Sequence, residues 1–248
     1  MVSFKEKKAL SSLLIIIIVS AVVIVAVGAV AVYFWLSPGE LISEEMQFSD
    51  FTAVDVSSAF EVEITQSSSY SVLITADEKI FDNIEVTKTG NTLSIGIESG
   101  IVISLSSLKA EITMPNLVEL ALSGASRGTV EGFNSSESFL VGLSGASRLD
   151  MQDIYVGDID VELSGASTLI AEGSGGDLVS IVSGASSLDL TDFPIGNSDL
   201  SISGASQVTV NLVGTLDAVV GGASTLYYIG EPTMGDIDIS GGSSIDKK

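Results

Sequence analysis

Gly124-Ala125-Ser126-Arg127-Gly128 has the form G-x-S-x-G, which in α/β-hydrolases presents a nucleophilic serine on a sharp strand-to-helix turn. That chemistry needs an imidazole to take the hydroxyl proton, and the 248-residue chain contains no His. A Ser/Lys pair would be the substitute, but Lys79, Lys88 and Lys109 stand in no Ser-x-x-Lys setting. Paired carboxylates such as Asp158 and Asp160 could serve glycoside hydrolysis or, with a base, a lyase reaction. With 32 Asp and Glu such pairs arise from composition alone, and they read as a solvated acidic face. Ser174-Gly175-Gly176-Asp177 carries the glycine and aspartate of calcium-binding β-rolls without their nine-residue period, and no EF-hand loop is present. Asn134-Ser135-Ser136 is an N-glycosylation sequon. No catalytic, cofactor-binding or metal-ligating residue is therefore assigned, and the chain is expected not to be an enzyme. Divalent cations loosely held by carboxylates are the only cofactor-like ligands that the sequence admits.

Composition narrows the field further. The absence of Cys excludes disulfides, thiolate chemistry and Cys-ligated zinc. A formal charge of −22 repels nucleic acid and anionic headgroups alike.

Residues 9–36 form an apolar run of Leu, Ile, Val and Ala without a charged residue. At 1.5 Å per residue about 20 such residues cross the hydrocarbon core, so the run predicts one transmembrane helix. Lys5, Lys7 and Lys8 precede it in a short segment, 1–8, while 31 acids against 7 bases follow. The positive-inside rule then places the N-terminus in the cytoplasm and the remainder outside the cell or in the periplasm. Ala29-Val30-Ala31 has the form of a signal-peptidase site, but the apolar stretch before it exceeds the usual 7–15 residues, which favours an uncleaved anchor. Tyr33, Phe34 and Trp35 fall at the far interface as an aromatic belt would.

Beyond a linker at 37–47, one tetrapeptide returns seven times: SGAS at 123–126, 144–147, 164–167, 183–186 and 203–206, then GGAS at 221–224 and SGGS at 240–243. Its second residue falls at Gly124, Gly145, Gly165, Gly184, Gly204, Gly222 and Gly241, 18 to 21 residues apart. Two residues before each glycine stands an aliphatic residue, from Leu122 to Ile239, and four after it another, with Gly128 the one exception. Apolar and polar residues alternate between these points, which is the strand period. A repeat near 20 residues with strand alternation predicts an all-β parallel β-helix of about 20-residue coils, each hydrogen-bonded to the next at roughly 4.8 Å. The marker glycine reads as a corner with φ > 0 or a close backbone approach, and the adjacent serine as a hydroxyl that bonds the bend.

The regular β-helix is expected over 123–248, and 48–122 as less regular coils or a cap. Thr89-Gly90-Asn91 predicts a turn between two strands of that region. Five residues before the marker stand Glu119, Asp160, Asp199, Asp217 and Asp236. The last three belong to consecutive coils, which predicts a column of repelling carboxylates.

The N-terminal anchor, the segment Phe51-Thr52-Ala53-Val54-Asp55-Val56 and the repeated L-S-G-A-S-x-L units resemble the family of surface proteins called putative auto-transporter adhesin, head GIN domain. The resemblance spans about residues 48–243. It implies a β-solenoid at a cell surface or in the periplasm, and it carries over no catalytic residue. The expected function is a membrane-anchored, externally displayed, non-catalytic binding module for proteins, glycans or other copies of itself. The alternative is a polysaccharide-active β-helix lyase or hydrolase, disfavoured by the missing His and by exported tyrosines limited to Tyr70, Tyr155, Tyr227 and Tyr228.

Overall fold

A computed structural model describes residues 39–98 and 107–248, and every strand belongs to one compact unit. The apolar run at 9–36, with the anchor assigned to it, lies outside the described residues. Among the described residues no helix is long and apolar enough to cross a membrane.

The chain passes through β1 (Leu41–Met46), β2 (Ala53–Val56), β3 (Glu61–Gln66) and β4 (Ser71–Asp77), a single helical turn α1 (Glu78–Phe81), then β5 (Ile84–Thr89), β6 (Thr92–Ile97) and β7 (Leu108–Met114). From there strands come in pairs, each pair flanking one marker glycine. They are β8 (Glu119–Leu122) with β9 (Arg127–Glu131), β10 (Phe139–Leu143) with β11 (Arg148–Tyr155), and β12 (Ile159–Leu163) with β13 (Thr168–Ser174). Next come β14 (Leu178–Val182) with β15 (Ser187–Ile195), β16 (Ser198–Ile202) with β17 (Gln207–Leu212), β18 (Thr215–Val220) with β19 (Thr225–Ile229), and β20 (Thr233–Ile239) with β21 (Ser244–Lys247). Odd strands from β7 onward, with β1, β3 and β4, build the eleven-stranded sheet I; the even strands from β6 onward, with β2 and β5, build the ten-stranded sheet II. The architecture is thus an all-β solenoid of about 20-residue coils, with two strands per coil.

Parallel pairing holds equivalent positions in register from coil to coil, as in Leu143↔Leu163 and Leu169↔Leu188. The alternation then sends one set of side chains inward along both sheets. Leu122, Leu143, Leu163, Val182, Ile202 and Val220 are all at most 2% exposed, and so are Leu149, Leu169, Leu188, Val208 and Leu226 across the core. Each such side chain contributes about 1.5–3 kcal/mol by burial. Gly128 breaks the pattern because its neighbours take its space: a Cβ there would lie 2.8 Å from Leu122 Cδ1 and 2.9 Å from Leu149 Cδ1.

All seven marker glycines have positive φ, from +65° at Gly124 to +80° at Gly204. From Gly145 onward a ladder of amides steps from coil to coil at these corners. The N–H of Ala166 donates to Gly145, that of Ala205 to Gly184 and that of Ala223 to Gly204, at 2.7–2.8 Å. From Ser126 to Ser224 the serine behind the corner is buried, and in the first five corners its hydroxyl donates to the carbonyl three residues earlier, as from Ser126 to Ser123 and from Ser186 to Ser183, both at 2.8 Å.

The segment before the repeat shares the same two sheets, but not in chain order. Strand β2 lies between β6 and β8, and β3 between β7 and β9, all in parallel. The antiparallel hairpin β5–β6 turns at Gly90, φ +60°, and β1 and β4 pair antiparallel at the edge of sheet I.

Candidate interaction face

The fold sets apart the serine, aspartate and lysine residues that the sequence offers for chemistry. Ser126 of the G-x-S-x-G match is 0% exposed and its hydroxyl is committed to Ser123. Asp158 and Asp160 do not converge. Asp158 accepts from the amide of Asp177 at 2.9 Å, whereas Asp160 projects outward from β12 between Leu140 and Val179 of the adjoining strands. Asp177, from the β-roll-like stretch, accepts from the amide and side chain of Asn197 at 2.8 and 3.0 Å. Those bonds, the backbone one foremost, hold its carboxyl below the usual aspartate range. Lys109 lies between Glu63 and Glu111 at 3.0 and 3.2 Å, and their hydrogen bonds raise its ammonium above the ordinary lysine value. Asn134 of the sequon is exposed and bridges to Tyr155. Among the described residues no three acidic side chains are grouped to hold a metal ion.

A second corner emerges that the sequence reading passed over. Gly157, Gly176, Gly196 and Gly214 form another amide ladder, with bonds of 2.7–3.0 Å. Each precedes Asp158, Asp177, Asn197 or Thr215, and the Asx oxygens accept the amides of the following coil. A Cβ on Gly176, Gly196 or Gly214 would strike the Asx side chain of the preceding coil. The signal was present as Gly followed by Asp, Asn or Thr, eight residues before the marker.

The predicted acidic column is interrupted. Across the ladder its positions read Glu119, Leu140, Asp160, Val179, Asp199 and Asp217. Only Asp199 and Asp217 are adjacent acids. The register then shifts between Leu216 and Ala218, and the amide of Asp236 donates to Asp217 at 2.7 Å. A bulge thus turns the second expected repulsion into a hydrogen bond.

Both outer faces are acidic, and they differ in whether bases stand among the acids. Sheet I carries Lys109, Arg127 and Arg148, and ion pairs form there with Glu63, Glu111 and Asp150. Sheet II turns outward Asp55, Glu85, Glu119, Asp160, Glu162, Asp199, Asp217 and Asp238. The sole base in its strands, Lys88, opposes buried Leu93 and so lies on the other side. Among these acids stand exposed aliphatic side chains: Leu140 at 38%, Val179 at 51%, Ile181 at 52% and Val219 at 53%. Solvent-facing strand positions are ordinarily polar, so this row calls for an explanation.

A shallow groove of about 380 Å³ crosses the same face. Asp55, Ala121, Gly142, Glu162 and Ile181 lie along it in strand order β2, β8, β10, β12 and β14, and Ser123, Ser144, Ser164 and Ser183 edge it on the corner side. Gly142 makes the depression: it has no positive φ, and a Cβ there would meet nothing within 4 Å. No aromatic residue lines the groove.

Residues 50–232 match the family described as putative auto-transporter adhesin, head GIN domain. Among curated proteins none matches the chain. The solved structure of a putative adhesin from Bacteroides fragilis is similar at a TM-score of 0.76 and 21% identity, covering 84% of this chain and 97% of that one. A putative lipid binding protein from Parabacteroides distasonis gives 0.67 and 20%, over 85% and 97%. A putative adhesin from Parabacteroides merdae gives 0.64 and 15%, again over 85% and 97%. At these identities the likeness is one of fold.

Proposed function

The chain belongs to the putative auto-transporter adhesin, head GIN domain family, and from that premise we propose that it is a membrane-anchored, externally displayed binding module without catalytic activity. The observation that carries this reading is the outer face of sheet II, where exposed Val179, Ile181 and Val219 stand among carboxylates that no base neutralises among the described residues. Such a face is costly to leave bare and is suited to contact. The apolar run at 9–36 supports the anchor, and the lysines before it support an outward-facing solenoid.

Two measurements test it. Protease added to intact cells should remove residues 40–248, and their full protection would refute outward display. Beads coated with the full chain should attach to cells of its source, and Val179→Ser/Ile181→Ser/Val219→Ser should reduce attachment at least fivefold. Attachment unchanged by these substitutions would remove sheet II as the binding face.

A further inference from the structure

We propose that the partner docked on sheet II is a basic polypeptide in extended conformation, with cationic residues at i and i+4 and an apolar residue at i+2. This rests on the reading of sheet II as the binding face and adds the chemistry of the occupant. Three features of the face fix that chemistry.

Charge comes first. The outward positions of sheet II carry eight carboxylates and no base among the described residues, whereas on sheet I Lys109 and Arg148 pair with Glu63, Glu111 and Asp150. An acidic glycan, an anionic membrane or a second copy presenting the same face would be repelled. A cationic partner is attracted. Free divalent ions do not account for the face, since its acids are spread along the strands and form no group of three around one point.

Spacing comes second. Asp55 and Glu162 stand at equivalent positions of β2 and β12, separated by Ala121 of β8 and Gly142 of β10. Three strand spacings of about 4.8 Å put them roughly 14 Å apart. One ammonium cannot serve both, but an extended chain advances about 3.4 Å per residue and keeps alternate side chains on one side. Residues i and i+4 of such a segment therefore reach both carboxylates when it runs along the solenoid axis, across the strands.

Relief comes third. Between the two carboxylates the outward surface falls away at Ala121 and Gly142, the only place in that column where no side chain rises beyond a methyl group. The residue at i+2 points there. One spacing beyond Glu162 stands Ile181, more than half exposed, where the next alternate side chain of the segment would rest.

The test uses the full chain in neutral detergent and three fluorescent heptapeptides: Lys-Ser-Leu-Ser-Lys-Ser-Leu, the same composition ordered Lys-Lys-Ser-Ser-Ser-Leu-Leu, and Glu-Ser-Leu-Ser-Glu-Ser-Leu. The first should bind at least tenfold more tightly than the second, and the third should not bind. Asp55→Asn/Glu162→Gln should weaken the first peptide at least tenfold. Gly142→Phe, which fills open space without backbone strain, should do the same while leaving the melting midpoint in place. Glu131→Gln/Glu172→Gln on sheet I should leave binding within twofold. Equal binding of the two lysine peptides, equal loss in the sheet I variant, or undiminished binding by Gly142→Phe would each overturn the proposal in favour of diffuse attraction. Dimers in sedimentation that Asp55→Asn/Glu162→Gln dissolves would overturn it in favour of a second copy. If cell attachment depends on Val179, Ile181 and Val219 but the first peptide neither binds nor competes, the basic partner is wrong while sheet II remains the binding face.

Discussion

The amide of Ala185 donates to the carbonyl of Gly165 at 2.7 Å, and that same oxygen occupies the place where a Cβ on Gly184 would go. Bond and exclusion are one constraint: the coils approach closely enough to hydrogen-bond at the corner only because neither carries a side chain there.

Gly165→Val should therefore destabilise the protein by about 3 kcal/mol or more, combining a φ of +77° with collision against Gly145. Glu162→Gln, outward on the strand leading to the same corner, should stay within about 0.5 kcal/mol. Chemical denaturation of both variants checks the pair, and equal shifts would refute the stacked corner.

Buried serines should divide into two kinds. Ser186 donates to Ser183 at 2.8 Å and accepts from the amide of Ser167 at 3.3 Å, so Ser186→Ala should cost about 1–3 kcal/mol. Ser198 is equally buried but its hydroxyl has no partner among the described residues. Ser198→Ala removes an unpaired polar group and should leave stability unchanged or raised. A loss at Ser198 as large as that at Ser186 would contradict this division.

At the second corner, Gly196→Ala should destabilise alone and cost little once Asp177 is alanine, because Asp177 Oδ1 is the atom in the way and the next lies at 3.5 Å. A double-mutant cycle measures the coupling, and strict additivity would refute it.

The pH dependence of Asp177 has a definite sign. Its carboxyl is depressed by the Asn197 amide and then by the Asn197 side chain, so its stabilisation is complete above the unfolded aspartate value of about 3.9. That stabilisation is lost as pH falls through the lower folded value. The melting difference between native protein and Asp177→Ala should be flat near neutrality and shrink only in acid. A difference that instead grew on acidification would reverse the assignment.

Salt should stabilise the chain without a saturable calcium site. Asp199 and Asp217 are side by side, but Asp160 is separated from Asp199 by Val179, and Asp217 accepts the Asp236 amide. Screening relieves the general acidic field, so NaCl and CaCl2 of matched ionic strength should raise the midpoint alike. A shift saturating at micromolar Ca²⁺ would reveal a true site.

The repeat was legible because each marker Gly, each preceding aliphatic residue and each following Ser meets the same demand in every coil, and repetition makes a local demand visible. Gly128 stood out as the one exception, since nothing in the repeat says that Leu122 and Leu149 fill its place. The glycines of the second corner were written in the sequence but overlooked, as their partners vary among Asp, Asn and Thr. The acidic column holds at Asp199 and Asp217 but not at Asp236: one bulge between Leu216 and Ala218 shifts the register, and no composition foretells a bulge. The proposed binding face needed the sheets, because Asp55 and Glu162 stand on neighbouring ground only through pairing between segments far apart in the chain.

The placement of β2 and β3 inside the stack sets an order of assembly. Both are made early, yet β2 must wait for β6 and β8, and β3 for β7 and β9, before either has neighbours on both sides. A chain emerging from its N-terminus thus holds a slot open until more than half of it has appeared, and the long loops that this closes slow the first step of folding. Beyond β9 each coil needs only the one before it. Deleting a single coil from the middle of the repeat should give a shorter folded protein, whereas deleting β2–β3 withdraws the strands on which both flanking coils are laid.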